Sequence, residues 1–174
     1  MDRDEQRLFE QATLPHLDAA YNLARWLLRD EHAAEDVVQE AYFRAAKFFA
    51  TFRGGDGRTW LLAVVRRASY DWLAKSRVWT AASSFDEEVH GQADESLNPE
   101  YLAVQKADHQ LLRQALEELA PEFREVTILR ELEGLSYQQI AVVTEVPVGT
   151  VMSRLSRARK QLQRRLAPCS GRGE

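Results

Sequence analysis

Cysteine is almost absent from this chain of 174 residues: the only one, Cys169, lies in a tail rich in Pro, Ser and Gly. No internal disulfide can form, and a reducing cytoplasm is the compartment that suits such a chain. A tail thiol of this kind reads more simply as inert than as a redox sensor. Long apolar runs are missing too. None approaches the ~18 residues of a membrane span, and Met1 to Glu10 is acidic and polar where an export signal is basic and then apolar. Membrane insertion and export are therefore not expected. The four histidines, His16, His32, His90 and His109, stand apart without the spacing of a metal site or a catalytic triad. No nucleophile motif and no phosphate cradle accompanies them, so no enzyme, cofactor or small-molecule substrate is expected. Alternating polarity, β-branched clusters and hairpin turns are lacking as well, which predicts an all-α fold.

Charge of one sign is absent from two blocks, and these divide the chain. Ala81 to Glu100 holds Asp86, Glu87, Glu88, Asp94, Glu95 and Glu100 with no Lys or Arg, and carries the breakers Gly91 and Pro99. Low hydrophobicity with one-signed charge predicts a flexible acidic linker over residues 80–97. It joins two small helical domains, residues 1–79 and 98–168, and residues 169–174 form a tail. The second block, Val146 to Gly173, has seven basic residues and no acid, whereas residues 1–145 carry 16 basic and 26 acidic residues, a net charge of −10. A locally basic segment on an acidic body points to nucleic acid gripped at one place.

Spacing within that basic block predicts a helix-turn-helix. Val148, Val151, Leu155, Ala158 and Leu162 step by three or four into one apolar stripe. Met152, Ser153, Arg154, Ser156, Arg157 and Lys160 occupy the other surface. Upstream, Leu135, Ile140, Ala141 and Val143 fit a short helix that Ser136 can cap after Gly134. Pro147 disfavours a helical residue before it and suits the start of the next helix, so the break falls at Val146-Pro147. Two short helices about a tight turn place the second in the major groove of a DNA duplex. Pro121 opens a preceding helix that ends before Gly134 and turns Phe123, Val126, Leu129 and Leu132 inward. Asn98-Pro99 starts another, with Leu102, Leu112, Leu116 and Leu119 as core contacts.

The N-terminal half contains two helices whose faces separate by angle at ~100° per residue. Over Glu35 to Phe48, Val37, Val38, Ala41, Ala45 and Phe48 fall on one side. Asp36, Gln39, Glu40, Phe43 and Lys47 fall on the other. Phe43 among carboxylates fits a protein-binding surface, and equally fits a ring packed on an earlier helix with the acids complementing a helix start. After the turn Gly54-Gly55-Asp56-Gly57, the segment Arg58 to Arg77 turns Leu61, Val64, Val65, Ala68 and Trp72 inward. Its opposite arc presents Arg66, Arg67, Tyr70 and Arg77. Guanidinium groups interleaved with rings suit single-stranded or melted nucleic acid, one for phosphates and the other for stacking bases.

Four blocks, taken in order, resemble one family. Ala34-Glu35-Asp36-Val37-Val38-Gln39-Glu40-Ala41, Arg58-Thr59-Trp60-Leu61, Leu132-Glu133-Gly134-Leu135-Ser136-Tyr137, and Val146-Pro147-Val148-Gly149-Thr150-Val151 followed by Ser153-Arg154-Leu155 resemble bacterial extracytoplasmic-function sigma factors, over roughly Phe9 to Leu166. The resemblance implies a protein with the second and fourth conserved sigma regions that binds core RNA polymerase and directs it to promoter DNA. By that analogy Asp36, Gln39, Glu40 and Phe43 face the clamp of the largest polymerase subunit. Arg53, Arg58, Arg66, Arg67 and Tyr70 hold the melted minus-10 element, while Ser153, Arg154, Ser156, Arg157 and Lys160 read the minus-35 element as duplex. Family members are often held inactive by an anti-sigma factor, a partner implied here without being identified. Arg67 stands where many relatives have Asn, and Met152 where Lys or Arg is common, so base preference does not carry over at either position. Met152 can touch a thymine methyl but cannot neutralise a phosphate. The rival reading is a stand-alone helix-turn-helix regulator, a dimer on palindromic DNA with no polymerase partner.

Overall fold

Short polar side chains set where the helices begin. Asp2 accepts the Glu5 amide at 2.8 Å and opens α1, Arg3–Thr13. A single 3-10 turn containing Pro15 then leads into α2, Leu17–Leu28. Asp30 accepts the Ala33 amide at 2.8 Å and opens α3, Glu31–Lys47, four residues ahead of the start that apolar spacing suggests. Asp56 accepts the Thr59 amide at 3.1 Å at the head of α4, Gly57–Ala82. The chain is seen in a computed structural model that describes residues 1–82 and 99–167, with side chains over 1–77 and 106–167. Most of the acidic segment of residues 80–97, and the tail that carries Cys169, lie outside the described residues.

The C-terminal half consists of α5, Pro99–Glu117, α6, Pro121–Thr127, α7, Tyr137–Thr144, and α8, Val148–Leu166. The described residues are helical and turn structure without a strand, so the all-α expectation holds. A wide π turn, Ile128–Leu132, continues α6.

That turn corrects one expected core position. Leu132 is 54% exposed, and Leu135 is buried in its place. The Glu133 amide reaches back five residues to the Ile128 carbonyl at 3.1 Å. One extra residue in a turn shifts everything after it by about 100°. Phe48 is a second correction: α3 stops at Lys47, so Phe48 leaves the helical period and is 54% exposed, while Phe49 is buried. Leu112 is 42% exposed, whereas Leu116 in the last turn of α5 and Leu119 just after it are buried as expected. The side chain of Leu102 lies outside the described residues.

Small residues let the N-terminal helices approach closely. Ala20 and Ala24 of α2, Ala34, Ala41 and Ala45 of α3, and Leu61, Val65 and Ala68 of α4 form one core with Phe9. The other side of α2 belongs to a second core. Leu23 and Leu27, with Leu62 of α4, pack among Val126, Leu129, Leu135, Ile140, Val143, Val151 and Leu155. The two helical units therefore meet along an apolar seam. Burying three leucines there is worth on the order of 5 kcal/mol in transferred surface, an upper figure because unfolded chains already bury part of it.

Candidate nucleic-acid and polymerase interfaces

The helix-turn-helix forms as its spacing requires. Ser136 accepts the Gln139 amide at 3.1 Å, and the Gln139 side chain accepts the Ser136 amide at 2.8 Å, so two donors at the start of α7 are satisfied reciprocally. Glu145 ends α7 in the left-handed region at φ 58. The Pro147 carbonyl then accepts the amides of Thr150 and Val151 at 2.9 and 3.1 Å, which starts α8. Val151, Leu155 and Ala158 are buried, and Val148 and Leu162 are half-buried. That seating turns Ser153, Ser156, Arg157 and Lys160 outward, with Met152 51% exposed beside them. Arg154 is half-buried at the edge of the same face, close enough for its charge to help hold the Glu125 carboxyl down. Arg159 and Arg165 are tied to Glu131 and Glu118 at 3.0 and 2.6 Å. They pin the helix instead of extending its open face, a division of labour among the basic residues that composition did not reveal.

On α3, Asp36, Gln39, Glu40 and Phe43 all lie on the exposed side. Phe43 is 64% exposed, so the alternative of a ring packed on an earlier helix is ruled out. Arg44 joins this face to α4 by bonds to Glu40 and to Asp71, the latter at 2.9 Å. Phe48 adds a second exposed ring, with the Lys47 ammonium 5.8 Å from its centroid. Helical spacing alone places this ring in the core, which hides it from periodicity.

The arc of α4 differs from the open face that sequence places there. Arg53 is exposed on the Gly54-Gly55 turn, whose φ values of 80 and 98 need glycine. Arg58, Arg66, Arg67 and Tyr70 meet side chains of the C-terminal half. Arg66 donates to both oxygens of Glu125 at 2.7 and 3.0 Å, and Glu125 is 0% exposed. Burial pushes the Glu125 carboxyl upward, and the Arg66 guanidinium pulls it back. The Tyr70 ring lies under Arg66, 4.5 Å from ring centroid to guanidinium carbon. Burial, and then the neighbouring Glu125 charge, push the Tyr70 phenol upward. Arg58 donates to the Glu133 carboxylate at 2.9 Å and to its carbonyl at 2.6 Å. Arg67 pairs with Glu145. No local spacing announces these partners, because they lie 59 to 78 residues away in sequence.

Three separable surfaces thus sit on one body: a serine- and arginine-bearing helix face, an acidic face around an exposed ring, and an arginine-tyrosine arc. Comparison with known proteins matches the two halves of the chain to two family models. A model of sigma-70 region 2 matches residues 14–78, and one of sigma-70 region 4 matches residues 109–162. The chain is 32% identical over 166 residues to the sigma factor SigE of Mycolicibacterium smegmatis, with 91% of this chain covered, and spans 64% of that relative's length. It is 31% identical to the sigma-H factor of Pseudomonas aeruginosa, with 97% of this chain and 91% of the relative covered. With the sigma-E factor of Escherichia coli the identity is 34%, over 76% of this chain and 73% of the relative. Among solved structures, the sigma factor RpoE from Bartonella quintana, bound to the anti-sigma factor NepR, superposes with a TM-score of 0.75 at 29% identity. That match covers 91% of this chain and 96% of that one. CnrH, solved with the cytosolic domain of CnrY, shares the fold with a TM-score of 0.63 at 23% identity, over 94% of this chain and 90% of that one. With both regions present in order, and relatives above 30% identity matched over most of their length, the chain belongs to the extracytoplasmic-function family of RNA polymerase sigma factors.

Proposed function

We propose that this sigma factor works without covalent chemistry, as an adaptor that places core RNA polymerase on promoter DNA in the cytoplasm. The observation that carries the reading is α8: its apolar stripe is seated on α6 and α7, and its serine- and arginine-bearing face is left outward. Ser153, Arg154, Ser156, Arg157 and Lys160 grip the minus-35 element as duplex, arginine taking phosphates or guanine edges and serine either base type. Asp36, Gln39, Glu40 and Phe43 dock on the polymerase, with the exposed ring as anchor and the polar groups as rim. Arg53, Arg58, Arg66, Arg67 and Tyr70 hold the melted minus-10 strand. Unstacking a base costs a few kcal/mol, and stacking on a ring returns about 1 to 3 kcal/mol per base. Two modest contacts multiply when both halves share one polymerase scaffold. An anti-sigma factor completes the partner set, as NepR does for the structural relative.

The test is Arg154→Ala in transcription with reconstituted holoenzyme on a promoter drawn from a random library. Output should fall about tenfold, equivalent to ~1.4 kcal/mol, the order of one lost base-edge or phosphate contact. Affinity for core polymerase should be unchanged. Wild-type output from the mutant would remove α8 from the reading.

A further inference from the structure

We propose that in the free chain the C-terminal half shields the arginine arc of α4, its glutamates taking the places that DNA phosphates would occupy. The inference rests on the assignment of that arc to the melted strand. Three guanidiniums of the arc have a carboxylate from beyond the linker, Glu125 for Arg66, Glu133 for Arg58 and Glu145 for Arg67, while Arg53 and Arg77 stay exposed. The ring available for stacking, Tyr70, is half-buried against the same apolar seam.

The cover is selective. The outward faces of α8 and α3 remain exposed, and the cover falls on the inner part of the arc, where the Arg66 side chain is 16% exposed and Tyr70 is half-buried while Arg67 stays open at the rim. Duplex reading and polymerase docking therefore need no rearrangement, whereas strand capture requires the halves to part. The three pairs also differ in depth. Glu125 is fully buried and held by two hydrogen bonds, Glu133 is mostly covered and also accepts from Asn22 at 2.6 Å, and Glu145 lies at the exposed rim. A strand must displace the inner pair to reach Arg66 and Tyr70, so its apparent affinity falls by the fraction of molecules that are open.

The experiment uses the full chain without polymerase and a fluorescein-labelled single-stranded DNA 12-mer of mixed sequence, read by anisotropy, with small-angle scattering on the same samples. The latch variant is Glu125→Gln with Glu133→Gln and Glu145→Gln. A charge-matched control neutralises three carboxylates on α1: Asp4→Asn, Glu5→Gln and Glu10→Gln. Opening a population that is about nine-tenths closed should tighten oligonucleotide binding by about tenfold in the latch variant, with a larger radius of gyration. The control should stay compact and gain no more than about threefold, the share expected from net charge alone. Equal tightening in the two variants, or a latch variant as compact as wild type, would overturn the proposal. Should the triple variant lose its helical circular dichroism, the double variant Glu133→Gln with Glu145→Gln decides, against a control carrying Asp4→Asn and Glu5→Gln. No gain over that control overturns shielding. Permanganate reactivity of a promoter opened by holoenzyme carrying Arg66→Ala tests the strand assignment separately, so its failure is told apart from a failure of closure.

Discussion

Replacing Arg124 with methionine should lower the melting temperature of the free chain by about 6 to 20 °C. The side chain is buried and donates to four carbonyls: Leu116 at 3.1 Å, Trp26 at 2.9 Å, Glu117 at 2.9 Å and Leu119 at 2.8 Å. These oxygens lie at the C-terminal end of α2 and in and just after the last turn of α5, where helix carbonyls run short of amide donors and carry partial negative charge. Burial pulls the Arg124 guanidinium down from its ordinary value, but it starts so high that it remains protonated at neutral pH. Methionine keeps much of the volume and removes every donor, so the Trp26, Glu117 and Leu119 carbonyls lose the guanidinium while the Leu116 carbonyl keeps the Leu119 amide at 3.2 Å. Removing one partner from a buried charged network costs about 3 to 5 kcal/mol. In a chain of this size each kcal/mol moves the midpoint by about 2 to 4 °C. Arg124→Lys should fall between, since one ammonium cannot reach carbonyls arrayed around a planar guanidinium. Thermal melts followed by far-UV circular dichroism provide the measurement. A methionine variant melting within about 2 °C of wild type would refute the reasoning, because the four bonds would then be worth no more than their desolvation.

Two further substitutions probe other parts of the fold. Gly57→Ala would place a Cβ 2.3 Å from the Ala12 carbonyl oxygen, so α1 and α4 must separate; a loss of about 1 to 3 kcal/mol in urea unfolding is expected, and unchanged stability would show that α1 moves freely. Phe43→Ala should weaken binding to core polymerase by about thirtyfold, the ~2 kcal/mol of an aromatic anchor, with the melting temperature unaltered because the ring is mostly exposed; equilibrium titration on labelled polymerase measures it, and a change under threefold argues against that face.

Local signals were legible where one side chain settles a boundary. Ser136, Pro147 and the stripe from Val148 to Leu162 marked the helix-turn-helix because capping and helical period act within a few residues. Periodicity failed where the period itself changed, at the π turn that turns Leu132 outward and at the end of α3 that frees Phe48. The polar faces of α3 and α8 could be read because solvent covers them. The arc of α4 could not, since its partners Glu125, Glu133 and Glu145 are brought in by the seam between the halves. A carboxylate that ends up buried carries no mark of it in sequence; Glu125 lies between Arg124 and Val126 and looks like any other helix acid.

The two-sided burial of α2 limits how freely pieces of this protein can be exchanged with those of relatives. Leu23 and Leu27 belong to the core that the C-terminal helices complete, although they lie on a helix of the N-terminal region. A chimera that grafts a foreign C-terminal region after residue 98 would inherit a docking ridge shaped for the original one. Swapping Leu23, Leu27 and Leu62 together with the graft would carry the matching surface along.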